Sequence, residues 1–147
     1  MTRLDKVVQA KSMLTTHLRR YISQVQLRTL FDMLKGEEAE WFADKIIEIV
    51  GVIDSMPVTY ATDGQGEDAV VHLHYFVGGC DWWITEKDVD GGIDQAYGWA
   101  SLFGGGIRDA EPGYISIAEI VAPGVAIRGE LDLHWTPKTV REIKGKA

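Results

Sequence analysis

Apolar residues recur at helical spacing through the first third of the chain and alternate with polar ones beyond it. From Leu4 to Ile22 the positions Leu4, Val7, Val8, Leu14, Leu18 and Tyr21 predict a helix whose centre is weakened by Thr15-Thr16. Ser23-Gln24-Val25-Gln26 has the Ser-x-x-Gln form of a capping box, which opens a second helix with Leu27, Leu30, Phe31 and Leu34 on one stripe. Gly36 stops it. A third helix is expected from near Glu37, where Glu37, Glu38 and Glu40 complement the positive end of the helix dipole. Its inward face is Phe42, Ile46, Ile49, Val50 and Ile53, and Pro57 lies past its end.

The polar stretch from Thr62 to Asp68 marks the change of period from 3.6 to 2. Along Val70–Val77, one face carries Val70, His72, His74 and Phe76, and the other Val71, Leu73, Tyr75 and Val77. Gly78-Gly79-Cys80-Asp81 turns this strand into Trp82–Thr85 as a hairpin. A further strand is predicted over Gln95–Phe103, after an acidic loop from Asp88 to Asp94, and Gly104-Gly105-Gly106 ends it. Tyr114 and Ile115 lead into a second capping box, Ser116-Ile117-Ala118-Glu119, and a short helix. Val125–Trp135 is expected to close the sheet, with Leu131, Leu133 and Trp135 on one face and Glu130, Asp132 and His134 on the other. Thr136 reads as an N-cap with Pro137 at the first position of a terminal helix through Ile143. Three helices followed by a mostly antiparallel sheet, a short helix and a C-terminal helix make an α+β fold. One domain over 1–147 is expected, with a helical part at 1–56 and a sheet-rich part at 57–147.

Charge narrows the partners. The chain has 147 residues and a net charge of −7. Residues 1–22 hold five basic side chains against Asp5, a net of +4, so the remainder carries −11. Such an acidic body disfavours direct nucleic-acid binding, which needs a continuous basic face, and favours a basic partner. Arg19, Arg20 and Lys11 are expected to pack against this negative body. The single cysteine, Cys80, reads as a small apolar side chain in a reducing compartment. Met-Thr-Arg-Leu-Asp-Lys has no apolar signal core, and no run approaches the roughly 18 apolar residues of a membrane span. A cytoplasmic protein without membrane contact, monomeric or homodimeric, is the expectation.

Candidate chemistry is sparse. His72 and His74 share a strand face, and Asp132 and His134 pair similarly near the end; on neighbouring strands the four make a candidate zinc set, with Glu130 as general base of a metal-dependent hydrolase or nuclease. No cofactor is otherwise implied. The loop from Asp88 fails as a calcium-binding EF-hand, having Ile93 at the sixth position and Trp99 at the twelfth. The glycine clusters Gly104-Gly105-Gly106 and Gly64-x-Gly66 lack the Lys-Ser/Thr of a phosphate loop, and no Gly-x-Ser-x-Gly elbow is present. Trp82 and Trp83 point to opposite sheet faces, so one at least is core.

The segments Trp82-Trp83-Ile84-Thr85-Glu86-Lys87-Asp88, Gly113-Tyr114-Ile115-Ser116-Ile117-Ala118-Glu119 and Leu131-Asp132-Leu133-His134-Trp135-Thr136-Pro137-Lys138-Thr139 resemble a domain-of-unknown-function family of small proteins. Its members are carried on phages, plasmids and conjugative elements. The resemblance spans roughly Met56 to Lys144. It implies an accessory gene of a mobile element and no catalytic residues. By analogy of context and charge, it points to a counter-defence inhibitor, of anti-CRISPR or anti-restriction type, that covers a basic nucleic-acid-binding surface of a host protein. The residues expected to make the contact are Asp81, Trp82, Trp83, Glu86, Asp88, Asp90 and Asp94. An accessory module in plasmid transfer or partition is the third reading, and requires an uncovered apolar stripe on the first helices.

Overall fold

Helices α1 (Arg3–Thr16), α2 (Gln24–Met33) and α3 (Ala39–Ser55) form the amino-terminal part of the protein, a computed structural model that describes residues 1–123 and 128–146. A capping box starts α1: the Thr2 hydroxyl accepts the Asp5 N–H and the Asp5 carboxylate accepts the Thr2 N–H, each at 3.1 Å. The helix does not run to Ile22. It ends at Thr16, where the Thr15 and Thr16 hydroxyls donate to carbonyls of Lys11 and Ser12, and a separate 3₁₀ turn covers Leu18–Tyr21. The buried face of α1 is also rotated from the predicted stripe. Ala10 and Leu14 are enclosed with Val7 beside them, while Leu4 and Val8 are 71% and 60% exposed. Helix α3 follows expectation, with Ile46, Ile49, Val50 and Ile53 buried.

A five-stranded antiparallel sheet follows. Strands β2 (Leu73–Val77), β3 (Cys80–Glu86), β4 (Ala96–Ser101), β5 (Glu111–Ile115) and β6 (Glu130–Leu131) are ordered β5-β4-β3-β2-β6. The predicted strand over 70–77 is divided at His72. Its first part, β1 (Val70–Val71), leaves the sheet to pair with β7 (Lys138–Thr139). The predicted closing strand contracts to β6: Val125, Ala126 and Ile127 lie outside the described residues, and Leu133 and His134 form a turn after Leu131. The turn carries Trp135 to the opposite side of the sheet from Leu131, where its indole N–H donates to the Val71 carbonyl. Helix α4 (Ile117–Val121) begins at Ser116 as predicted, the Ser116 hydroxyl accepting the Glu119 N–H. Helix α5 (Val140–Lys146) begins later than predicted. Its box is Thr139-x-x-Glu142, closed in both directions, because Lys138 and Thr139 are held extended against β1.

The sheet therefore has two unlike sides. Leu73, Tyr75, Ile84, Ala96, Ile115 and Leu131 face the helices in the larger core. Trp83 faces the other way into a smaller core of Val71, Ile107, Ala110 and Val140. Among the described residues no helix is long and apolar enough to cross a membrane.

One side chain joins helices to sheet edge. The Ser-x-x-Gln pattern predicts Gln26 as the return arm of the Ser23 box, but only the Ser23 half forms. The Gln26 amide instead donates to the Leu131 carbonyl at 2.9 Å and accepts the Leu131 N–H at 3.0 Å, completing the edge of β6 as another strand would. Both contacts are buried. Gln26→Leu strands a donor and an acceptor and should lower the unfolding free energy by about 2–4 kcal/mol. Urea unfolding measures this; a change within about 0.5 kcal/mol would mean that the edge does not need the amide.

Candidate functional site

Strict alternation along β3 would put Glu86 on the helical side with Ile84. A bulge prevents it. Ile84 is opposite Gly98 but Glu86 is opposite Tyr97, so Thr85 is the extra residue and Glu86 turns to the far side. There it enters a cavity of about 320 Å³ between strands β3–β5 and the connection that follows α3. Tyr97, Trp99, Tyr114 and Pro112 line it from the sheet, and Tyr60, Thr62, Asp63, Gly64 and Gly66 from the connection.

Glu86 is 2% exposed, and desolvation of a carboxylate is costly unless donors surround it. Its Oε1 accepts the Tyr60 N–H at 2.9 Å, and its Oε2 accepts the Thr62 N–H at 2.8 Å together with the Thr62 hydroxyl. No ion pair reaches it among the described residues. Neighbouring Lys87 turns away, donating to the Ile53 and Asp54 carbonyls at the end of α3, where the helix dipole is negative.

The aromatic walls meet near right angles. Tyr97 and Tyr114 are 5.7 Å apart at 84°, Tyr60 and Tyr114 6.4 Å apart at 80°. The Tyr60 and Tyr114 hydroxyls are 2.7 Å apart, and this bond raises the Tyr114 phenol above its ordinary range. Tyr60 has φ of 78°, a strained conformation for an aromatic residue that costs on the order of 1–3 kcal/mol. The contacts of its N–H to Glu86 and of its hydroxyl to Tyr114 hold it there.

The residues expected to meet a partner divide. Trp83 and Glu86 are buried and offer no surface, Trp83 in the smaller core and Glu86 in the cavity floor. Trp82 is half-buried against the larger core, and Asp81 accepts from His74. Asp88, Asp90 and Asp94 belong to the loop between β3 and β4, with Asp90 and Asp94 exposed. The Asp88 carboxylate accepts the Val89 and Gln95 N–H groups, and Asp90 accepts that of Gly92. Tyr21 donates to the Gly91 carbonyl, and the Arg20 guanidinium lies near Gly92, whereas Lys11 and Arg19, expected to pack on the acidic body as well, are exposed. Thr59 latches the connection to both ends of the loop, its single hydroxyl proton lying between the Lys87 and Gln95 carbonyls, 3.0 and 2.9 Å away.

The histidines do not converge. His74 lies between two carboxylates, Nε2 2.8 Å from Asp81 and Nδ1 3.0 Å from Asp132, and stacks on Trp83 and Phe76. Both ring nitrogens are thereby engaged. His134 is exposed and tilts against Trp41 of α3, 5.3 Å between centroids, because the turn after β6 carries it away from His74. Glu130 is exposed at the sheet edge opposite Phe76. No cluster of three or more His, Cys, Asp or Glu side chains suited to a metal occurs among the described residues. His72, His74, Asp132 and His134 therefore do not come together as the expected zinc set.

His72 stands apart, its imidazole lowered below 6.5 by burial alone. A base with a depressed folded-state pKa carries no penalty above the unfolded value and destabilises the fold as pH falls below it. Relative to His72→Gln, the wild-type protein should therefore lose stability as pH falls through the ordinary histidine range. Denaturation at several pH values checks this; a constant difference would contradict it.

Sequence reasoning missed Tyr60, Thr62, Tyr97, Trp99 and Tyr114 as one site, since residues far apart in the chain form it. Comparison of this chain with known protein families, curated proteins and solved structures finds no match in any of the three.

Proposed function

We propose that this protein acts by binding, as a small acidic inhibitor that occupies the basic, nucleic-acid-binding surface of a host protein in the manner of anti-CRISPR or anti-restriction factors. One observation carries the reading. Asp90 and Asp94 stand in solvent on either side of a loop that also exposes Val89 by 67%, and the loop is braced from within by Asp88, Asp90, Thr59 and Tyr21. A braced loop loses little freedom on docking, so its carboxylates can replace phosphates at a basic groove without an ordering cost. Exposed Tyr60, one residue from the Thr59 latch, supplies an aromatic anchor beside them. The half-buried Asp88 has a different part: its carboxylate closes the loop, so it shapes the acidic surface without leading it.

A second reading, assembly through α1, rests on exposed Leu4 and Val8, one helical turn apart. It serves the transfer or partition role.

Two measurements separate these. The variant Asp94→Lys, at an exposed carboxylate that is not among the braces of the loop, should keep its melting temperature and lose capture of a basic host protein from nuclease-treated lysate; a protein retained equally by the variant would remove the loop from the contact. Leu4→Glu/Val8→Glu should leave the sedimentation coefficient of the chain unchanged if binding through the loop is the function. A shift to a smaller species would favour assembly.

A further inference from the structure

We infer that the cavity around Glu86 is a binding site for an organic cation, a methylated ammonium or a guanidinium group. The inference does not rest on the inhibitor reading, since it concerns the cavity alone.

Charge is the first argument. The Glu86 carboxylate is buried and receives two backbone N–H groups and a hydroxyl, which supply dipoles but no compensating charge. Asp63 also lines the cavity. An anionic ligand would meet two carboxylates, and a neutral apolar one would bury Glu86 further without neutralising it.

The walls are the second argument. Tyr60, Tyr97, Trp99 and Tyr114 surround the space with aromatic rings, whose negative faces attract cations. Trp99 already shows this attraction within the fold, with the Lys144 ammonium 5.0 Å from its ring centroid. A strongly hydrated ammonium or metal ion would forfeit water that rings cannot replace, whereas methylated ammonium and guanidinium groups are weakly hydrated. At about 320 Å³ the cavity is at the small end of ligand sites, the size for a cationic group and not for a nucleotide.

The strained Tyr60 is the third. Its left-handed backbone is tied to Glu86 at the N–H and to Tyr114 at the hydroxyl, so the fold maintains an unfavourable conformation that sets this ring at the cavity wall.

The test titrates the full chain with tetramethylammonium, methylguanidinium and the neutral tert-butanol at fixed ionic strength, following the Trp99 indole and tyrosine ring signals by NMR. Saturable shifts with at least one cation are expected, with tert-butanol weaker by about ten-fold or more. Tyr114→Leu, at a half-exposed position, should weaken the cation about ten-fold while the chain remains folded by circular dichroism. Glu86→Gln should weaken it as well, and Tyr114→Leu keeps the test decisive if that variant does not fold. Tighter methylguanidinium would identify an arginine side chain as the natural source, and tighter tetramethylammonium a methylated amine. Absence of saturable shifts with both cations, equal binding of tert-butanol, or unchanged affinity in Tyr114→Leu would overturn the proposal. The probes present no protein surface, so this outcome is separate from that of host-protein capture.

Discussion

A carboxylate held out of water must be surrounded by donors, and at Glu86 that requirement organises the passage from helices to sheet. The bulge at Thr85 sends the side chain away from the helical core, and the donors it needs come from Tyr60 and Thr62 in the connection after α3. Residues 60–62 are thereby fixed over the sheet. Thr59 joins the same segment to both ends of the acidic loop, so the cavity and the loop are parts of one braced region. Removing the charge would loosen the cavity wall and the loop together.

The two sides of the sheet divide the work. On the helical side, Tyr75, Ile84 and Leu131 bury apolar surface against α1–α3, and this supplies the main driving force for folding. The other side is more polar and more aromatic. His74 ties Asp81 of β3 to Asp132 beyond β6 while its ring stacks on Trp83, a contact that holds the sheet edge together and uses the histidine structurally. The tyrosine-lined cavity is a concave feature of that side, beside the smaller core. Recognition of a cation and recognition of a basic surface draw on the same physical property, a negative region with aromatic neighbours.

Helix α3 was legible because its apolar residues repeat at 3.6 and its flanks carry acidic residues and a proline; local signals and tertiary packing agree. The hairpin of β2 and β3 was legible from alternation and Gly78-Gly79. Elsewhere the local signal was accurate but incomplete. Ser-x-x-Gln at Ser23 does start a helix, yet Gln26 finds a better use at Leu131, 105 residues away. Thr136-Pro137 has the chemistry of a helix start, yet pairing of Lys138 and Thr139 with β1 defers the helix to a second box. In both cases a long-range hydrogen bond outcompeted a local one.

The sequence by itself determined the class of fold, the acidic balance and the division into a helical and a sheet-rich part, because periodicity and charge are properties of neighbouring residues. It also placed Asp88, Asp90 and Asp94 in one acidic loop without showing which of them meet solvent. Tertiary structure alone decided that Trp83 and Glu86 are internal, that His134 parts from His74, and that Tyr60, Tyr97, Trp99 and Tyr114 enclose one space. The physical reason is register. A single extra residue in β3 reverses the direction of Glu86, and no local pattern encodes the position of that bulge, which is set by pairing with β4 and by the donors waiting on the far side.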